Sequence, residues 1–200
     1  MPPVALTLAG ALAVLLIAAA PAADLPLATP LPPAARGCLP GGTGYFKARI
    51  RGALNLDINW HNSEMECQGG PRPDGSGLRV SFAGPARSGQ RLRLVFGLSS
   101  VQEGRNARDL PTNLTVILEG AQRLFATRGD DHCTVDDLRQ ERLGSPAAPQ
   151  RTWRIVARGF CIAPANTLNS DASILVSRFD FAGSAVFEDP PHPQLYPPRP

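Results

Sequence analysis

Polar side chains occupy every second position of the stretch 55–61, within the segment ALNLDINWHN. These side chains belong to Asn55, Asp57, Asn59 and His61. Amides, a carboxylate and an imidazole exchange hydrogen bonds with sugar hydroxyls, and along one face of a β-strand they would recur at intervals of ~7 Å. The pattern predicts either a ligand-binding row or a plain hydrated sheet face. The nearest aromatic residue of the same parity, Tyr45, lies well upstream, which favours the hydrated face.

Basic residues alternate in the same way along two stretches. They are Lys47, Arg49, Arg51, Arg91 and Arg93. If these stretches are neighbouring strands, their side chains form a patch suited to an anionic glycan or a lipid headgroup. The alternative is cross-strand ion pairing with carboxylates such as Asp180 and Glu119. Of the 20 basic residues 19 are arginines, and this general abundance favours ion pairing.

Acidic residues cluster around the third cysteine, in the segment GDDHCTVDD. The candidate metal ligands are Asp130, Asp131, His132, Asp136 and Asp137. Four carboxylates and an imidazole could hold a hard cation such as calcium. Their spacing differs from that of the D-x-D-x-D-G calcium loop, so the favoured interpretation is a solvated turn beside a disulfide.

Motifs that indicate catalysis are missing from the sequence. It contains no G-x-S-x-G, H-E-x-x-H, S-x-x-K or phosphate-binding loop. The sequence therefore favours a non-catalytic binding or structural module of unknown ligand, and it predicts no cofactor. The alternative is a hydrolase that acts on a glycan or an ester through Asp and His groups that the fold brings together.

The first 23 residues have the pattern of a secretory signal peptide. Residues 4–23 carry no charge and end in small residues, with an A-x-A cleavage pattern at 20–22. No Lys or Arg precedes the apolar run, and an uncleaved membrane anchor is the alternative. We predict a signal peptide at 1–23, a Pro/Ala-rich linker at 24–37, a single domain at 38–188 and a Pro-rich tail at 189–200.

The chain has four cysteines: Cys38, Cys67, Cys133 and Cys161. An even number in a chain with an export signal indicates two disulfides. No two of them have the C-x-x-C spacing that zinc sites use. Four cysteines allow three connectivities. The pairs Cys38–Cys67 and Cys133–Cys161 are favoured because each closes a loop of about 30 residues.

Short runs of alternating apolar and polar residues, separated by turn signals, recur from residue 45 onward. This pattern predicts an all-β domain, an antiparallel β-sandwich or barrel of about 7–8 strands with at most one short helix. The segment 134–143 is ambiguous, because Thr134 and Asp137 form a helix-capping pattern whereas its alternation also suits a strand. Leu175 and Phe179 have the same parity and are predicted to share one face.

The long alternating run 45–61 gives specific burial predictions. Gly52 interrupts it and is predicted to mark a bulge, a bend or a corner between two strands. On the second half of the run the apolar face consists of Leu54, Leu56, Ile58 and Trp60. These four side chains are predicted to be buried together.

The formal net charge of +3 is modest and no Lys/Arg block occurs. Nucleic acid is therefore excluded as an expected partner. Together with the export signal, the sequence predicts a periplasmic or secreted protein that is not integral to a membrane once its signal is cleaved. The predicted partner class is an anionic glycan or another envelope component.

Overall fold

A computed structural model of the chain describes residues 38–188, with the exception of 122, 147, 149 and 169. The predicted signal peptide, linker and Pro-rich tail lie outside the described residues. The described residues form no helix with the length and hydrophobicity that a bilayer crossing requires.

Antiparallel β-strands make up almost all of the regular structure in the described residues. They are β1 (Tyr45–Gly52), β2 (Leu56–His61), β3 (Glu66–Pro71), β4 (Gly77–Pro85), β5 (Arg91–Ser99), β6 (Ala107–Glu119), β7 (Arg123–Ala126), β8 (Cys133–Leu143), β9 (Arg151–Cys161), β10 (Ala165–Thr167) and β11 (Ser173–Phe187). The predicted all-β class is confirmed, but these eleven strands exceed the predicted seven or eight. Strands such as β3 (ECQGGP) and β10 (ANT) have almost no apolar side chain, so alternation cannot reveal them.

Two long strands, β6 and β11, organise the sheet. One edge of β6 pairs with β5, and the sheet continues through β4 to β3. The other edge of β6 pairs with β8 near its start and with β7 near its end. β11 pairs with β1 along one edge, with β2 beyond it, and with β9 and β10 along the other. The β8–β9 and β7–β10 pairs therefore bridge the two long strands.

The sheet folds over on itself, so that aromatic side chains from both parts meet in one core. Phe82 of β4 lies 4.9 Å from Phe46 of β1 and 4.7 Å from Phe181 of β11, between ring centroids. Phe96 of β5 lies 4.7 Å from Phe179 of β11. All five rings are almost completely buried. Tilted and offset contacts at these distances each stabilise the fold by about 0.5–1.5 kcal/mol beyond the burial itself.

The corner predicted at Gly52 separates β1 from β2. Gly52 has a φ of +114°, and an added Cβ would lie 2.5 Å from the carbonyl oxygen of Ser173. A larger residue would therefore have a strained backbone and would lie too close to the neighbouring strand β11. After the corner, Ile58 and Trp60 are buried as predicted, whereas Leu54 and Leu56 are only partly buried because they lie in or next to the turn of the hairpin.

The ambiguous segment 134–143 is part of strand β8 and not a helix. It pairs with β6 on one side and with β9 on the other, so its backbone hydrogen bonds are satisfied across the sheet. Buried Val135, Leu138 and Gln140 face the core. An irregularity between Val135 and Asp137 places Val135 and Leu138, which are three residues apart, on the same face. In the sequence this spacing resembles helical periodicity.

A β-bulge in β11 overturns one burial prediction. Arg49 of β1 pairs with Arg178, and its neighbour Ile50 pairs with Val176, so Ser177 is an extra residue. The bulge reverses the parity of the strand. Val176 and Phe179 consequently both face the core, whereas Leu175 does not share the face of Phe179 and is only partly buried.

Both predicted disulfides are present, with the favoured connectivity. Cys38 is bonded to Cys67, which ties the segment before β1 to the edge strand β3. Cys133 is bonded to Cys161, and these two residues face each other across the β8–β9 ladder. No free cysteine remains among the described residues.

Candidate functional site

Strand β1 presents a row of cations to solvent because its apolar residues alternate with basic ones. Phe46, Ala48 and Ile50 are buried, so the side chains of Lys47, Arg49 and Arg51 must point away from the core. The Arg49 side chain is 65% exposed. Lys47 packs its ammonium group 5.7 Å from the ring centroid of Tyr45 on the same strand.

Strand β2 places the predicted polar row directly beside this basic row. In the β1–β2 register, Lys47 faces Asn59 and Arg49 faces Asp57. The two rows, which the sequence presents as separate candidates, therefore form one continuous surface. Asn55 lies apart from it, because it belongs to the turn and donates its side-chain N–H to the Gly52 carbonyl at 3.2 Å.

Asp57 is the carboxylate that partly neutralises the basic row. It accepts two hydrogen bonds from Arg51 at 2.9 and 3.0 Å, and its Oδ1 lies 3.4 Å from Nε of Arg49. The hydrogen bond from Arg51 holds the pKa of Asp57 below its ordinary value, and the charges of Arg51 and Arg49 act in the same direction. Asp57 is therefore ionised at neutral pH and shared between two cations.

Two distant strands add further charges to the same surface. Arg178 of β11 lies directly opposite Arg49, and Asp180 lies opposite Lys47. Arg158 of β9 lies opposite Asp180 on its other side. The sequence pattern did not single out Arg158, because only the β9–β11 pairing brings it to this surface.

We call five outward cations of β1, β9 and β11 the basic face, leaving out Arg154 of β9, which is paired with Glu141. Its members are Lys47, Arg49, Arg51, Arg158 and Arg178. Across this part of the surface, none of the described carboxylates forms an ion pair with Lys47, Arg158 or Arg178, whereas Arg49 and Arg51 share Asp57. Like charges that face each other directly across strands, as Arg49 and Arg178 do, destabilise a sheet.

Asp180 occupies the middle of the basic face and is fixed by a tyrosine. Tyr45 donates its hydroxyl to Oδ1 of Asp180 at 2.8 Å. Partial burial, together with this bond and the charge of Asp180, raises the pKa of Tyr45 to about 12. The tyrosine therefore stays protonated and continues to donate throughout the neutral and mildly alkaline range.

Two open depressions flank Asp180. The larger has a volume of about 380 Å³ and is lined by Lys47, Ala48, Arg49, Asp57, Ile58, Arg178 and Asp180. The smaller has a volume of about 240 Å³ and is lined by Tyr45, Asp137, Arg139, Val156, Ala157, Arg158 and Asp180. Both are shallow and charged, a form suited to an extended polar ligand more than to an enclosed apolar molecule.

Arg91 and Arg93, the other basic residues considered for this patch, do not lie on the basic face. They belong to β5, which pairs with β4 and β6 and does not adjoin β1. Arg91 and Arg93 form ion pairs with Glu119 at 3.1 and 2.8 Å, and Arg91 also pairs with Glu66. For these two residues the favoured interpretation, cross-strand ion pairing, describes the structure, and a common patch with β1 does not form because the strands are not neighbours.

The structure separates the acidic residues proposed as metal ligands. Asp130 is bound by other side chains: it accepts hydrogen bonds from Ser99 and Asn113 and forms a 3.0 Å ion pair with Arg72. Asp137 pairs instead with Arg108 and Arg139 from strands β6 and β8.

The other members of that segment do not complete a metal site. Asp131 is largely exposed, with Nε2 of His132 3.8 Å away, and Asp136 lies within the irregularity of β8. In the part of the chain that the structure describes, no three His, Cys, Asp or Glu side chains are grouped so that they could hold a metal ion. Strand β8 carries Asp136 and Asp137 away from the turn that holds Asp130 and Asp131. Residues that are close in the sequence therefore do not lie close together in the structure.

Comparison with known proteins adds no further constraint: no family model matches the chain, and no curated protein or solved structure shows significant similarity to it.

Proposed function

We propose that the protein is an exported, non-catalytic binding module whose basic face takes an anionic ligand, with an anionic glycan or another envelope component as the partner class. The observation that carries this proposal is the charge imbalance of the face. Five cations there accompany Asp57 and Asp180, next to the Arg139–Asp137 ion pair that lines the smaller depression, and three of the five form no ion pair with a described carboxylate. An anionic ligand would relieve the repulsion between the opposed Arg49 and Arg178.

Export is supported by the apolar segment 4–23 and by the two disulfides, which persist in oxidising compartments. Intact-mass measurement of the protein isolated from its native host tests this part. The expected mature chain starts near Ala23 or Asp24. A full-length chain recovered in the membrane fraction would instead establish the uncleaved anchor.

The hydrolase alternative rests on sequence composition. His132 and Asp131 are a described imidazole and carboxylate that lie 3.8 Å apart, but they are neighbours in the chain and Asp131 is 85% exposed. The network around Asp130 uses its carboxylate to pair with Arg72. These contacts provide no general base directed at a nucleophile, and they therefore support the binding module over the hydrolase.

Binding to immobilised hyaluronan, a polysaccharide with a carboxylate on every second sugar, tests the ligand class. We expect the wild type to bind hyaluronan but not neutral dextran, and to release it as ionic strength rises. A Lys47→Ala/Arg178→Ala variant should bind at least about tenfold more weakly, because it removes two of the unpaired cations.

Two matched variants test whether the basic face itself holds the ligand. Arg79 of β4 and Arg128 are exposed arginines outside the basic face, and Arg79→Ala/Arg128→Ala removes the same two positive charges there. It should retain wild-type binding. An Asn55→Ala/Asn59→Ala variant tests the polar row, and binding lost there but kept in Lys47→Ala/Arg178→Ala would replace the basic face with that row as the site.

A further inference from the structure

The basic face contains two separate depressions. The inference about what they bind rests on the proposed function. The depressions of about 380 and 240 Å³ meet at Asp180, which lines both. The larger contains the unpaired cations Lys47 and Arg178. The smaller contains the unpaired Arg158 beside the Arg139–Asp137 ion pair, whose charges cancel. Each depression therefore has its own cation available for an anionic group.

The strand order sets the separation of these positions. β1 pairs with β11, and β11 pairs with β9, so Lys47 and Arg158 lie two strand spacings apart on either side of Asp180. Neighbouring strands are ~4.8 Å apart, which places the two strand positions ~10 Å from each other. A single small anion can occupy one position but cannot bridge both.

Asp180 decides which kind of polymer fits between the cations. Its carboxylate is held in place by the 2.8 Å hydrogen bond from Tyr45. A polymer with closely spaced anionic groups would bring one of them against this carboxylate, which like-charge repulsion disfavours. A polymer whose anionic groups are separated by hydroxyl-bearing units would instead present a donor to Asp180.

We propose that the basic face binds a linear acidic polysaccharide across strands β1, β11 and β9. One anionic group occupies the depression at Lys47 and Arg178. The next occupies the depression at Arg158, and an intervening sugar hydroxyl donates to Asp180.

The first test measures how affinity depends on ligand length, with hyaluronan oligosaccharides from the disaccharide to the octasaccharide in titration calorimetry. The disaccharide has one carboxylate and the tetrasaccharide has two. We expect affinity to rise at least about tenfold between them, because the second contact forms within an already bound molecule. Further length should add little.

Arg158→Ala tests the bridging itself. It should abolish the gain in affinity of the tetrasaccharide over the disaccharide, whereas the control Arg79→Ala should keep that gain. Equal affinity of the wild type for both lengths would overturn the bridging proposal while leaving the anion-binding function intact. No binding at any length would overturn both.

Asp180→Asn tests the role of the central carboxylate. Removing a negative charge would raise affinity for every anion if only long-range attraction mattered. We expect opposite effects on two probes: weaker binding of the hyaluronan octasaccharide by about tenfold, and tighter binding of inorganic polyphosphate, whose charges are closely spaced. An increase for both probes would contradict the hydroxyl contact and overturn the proposal.

Discussion

At the scale of single residues, close packing of a side chain against the backbone explains why a glycine is needed at a position outside the candidate site. Trp60 of β2 crosses to β4, where its Nε1 donates to the Pro85 carbonyl at 2.9 Å. Its ring packs against Gly84, and an added Cβ at that glycine would be 2.6 Å from the ring. The absence of a side chain at Gly84 therefore lets the tryptophan be buried.

Gly84→Ala should destabilise the domain by about 1–3 kcal/mol, because the new methyl group overpacks the Trp60 ring. Urea denaturation followed by tryptophan fluorescence measures this loss. Gly41→Ala is the matched control, since an added Cβ there meets nothing within 4 Å, and it should change stability by less than about 0.5 kcal/mol. Equal stability of the two variants would show that Trp60 moves aside without cost.

Asp130 is a second residue whose contacts affect the stability of the fold, through the pKa of its carboxyl group. The Ser99 hydrogen bond, helped by Asn113 and Arg72, holds the pKa of Asp130 below its ordinary value of 3.8, against the opposing effect of partial burial. A lowered pKa in the folded state means that the ionised carboxylate stabilises the fold above the ordinary pKa. This stabilisation is lost as the pH falls through the folded-state pKa.

Asp130→Asn should therefore lower the free energy of unfolding at pH 7 by about 1–2 kcal/mol. The difference from the wild type should stay constant above about pH 5 and narrow as the pH falls below the ordinary carboxyl pKa. Urea titrations across this range measure it. Asp131→Asn, at a side chain that is 85% exposed, should match the wild type at every pH, and a pH-independent deficit in Asp130→Asn would refute the role of its charge.

At the scale of elements, the bulge in β11 keeps both halves of the longest strand in the core. On one side of it Ile174 and Val176 are buried, and on the other Phe179 and Phe181. Ser177 and Arg178 both point to solvent between these halves. The register already joins Val176 and Arg178 to consecutive residues of β1, so Ser177 occupies no place of its own in the ladder.

Deletion of Ser177 should consequently preserve the fold, with a stability change of about 1 kcal/mol or less. Deletion of Asp180, three residues later, should instead unfold the domain, because it turns buried phenylalanines of one half toward solvent. Circular dichroism and thermal unfolding distinguish the two. Loss of structure on deleting Ser177 would mean that the bulge itself is required, for example to set the local twist.

At the scale of the whole molecule, two disulfides reinforce a domain whose described residues consist mostly of paired antiparallel strands. Cys38–Cys67 closes a separation of 29 residues and Cys133–Cys161 one of 28. They act on different parts of the sheet, since one anchors the edge strand β3 and the other joins β8 to β9. Their effect on the unfolded chain is nevertheless nearly the same, because the closed loops differ by a single residue.

Replacing either pair by alanine should therefore destabilise the domain by about 3–4 kcal/mol, with similar values for both variants. Urea denaturation of the two double variants gives the comparison, and alkylation of the native protein without reductant should label none of the four cysteines. A much larger loss for one pair would show that native packing, not restriction of the unfolded chain, dominates at that bond.

The amino-acid sequence by itself determined the local features of this protein. Alternation in 45–61 identified the basic row, the polar row and the corner at Gly52, because side chains on a strand point to opposite faces in turn. The all-β class followed from turn spacing, and loop length favoured the observed disulfide pairs among the three possible connectivities. These properties depend on residues that are close together in the chain.

The tertiary structure decided which of these local features share a surface. Arg158 and Arg178 join the basic row only because β9 and β11 pair with each other and with β1, and long-range pairing leaves no mark in a single sequence. Arg91 and Arg93 were excluded for the same reason, since β5 pairs with β4 and β6. The acidic segment 130–137 separated because an extended strand moves its residues apart by ~3.3 Å each.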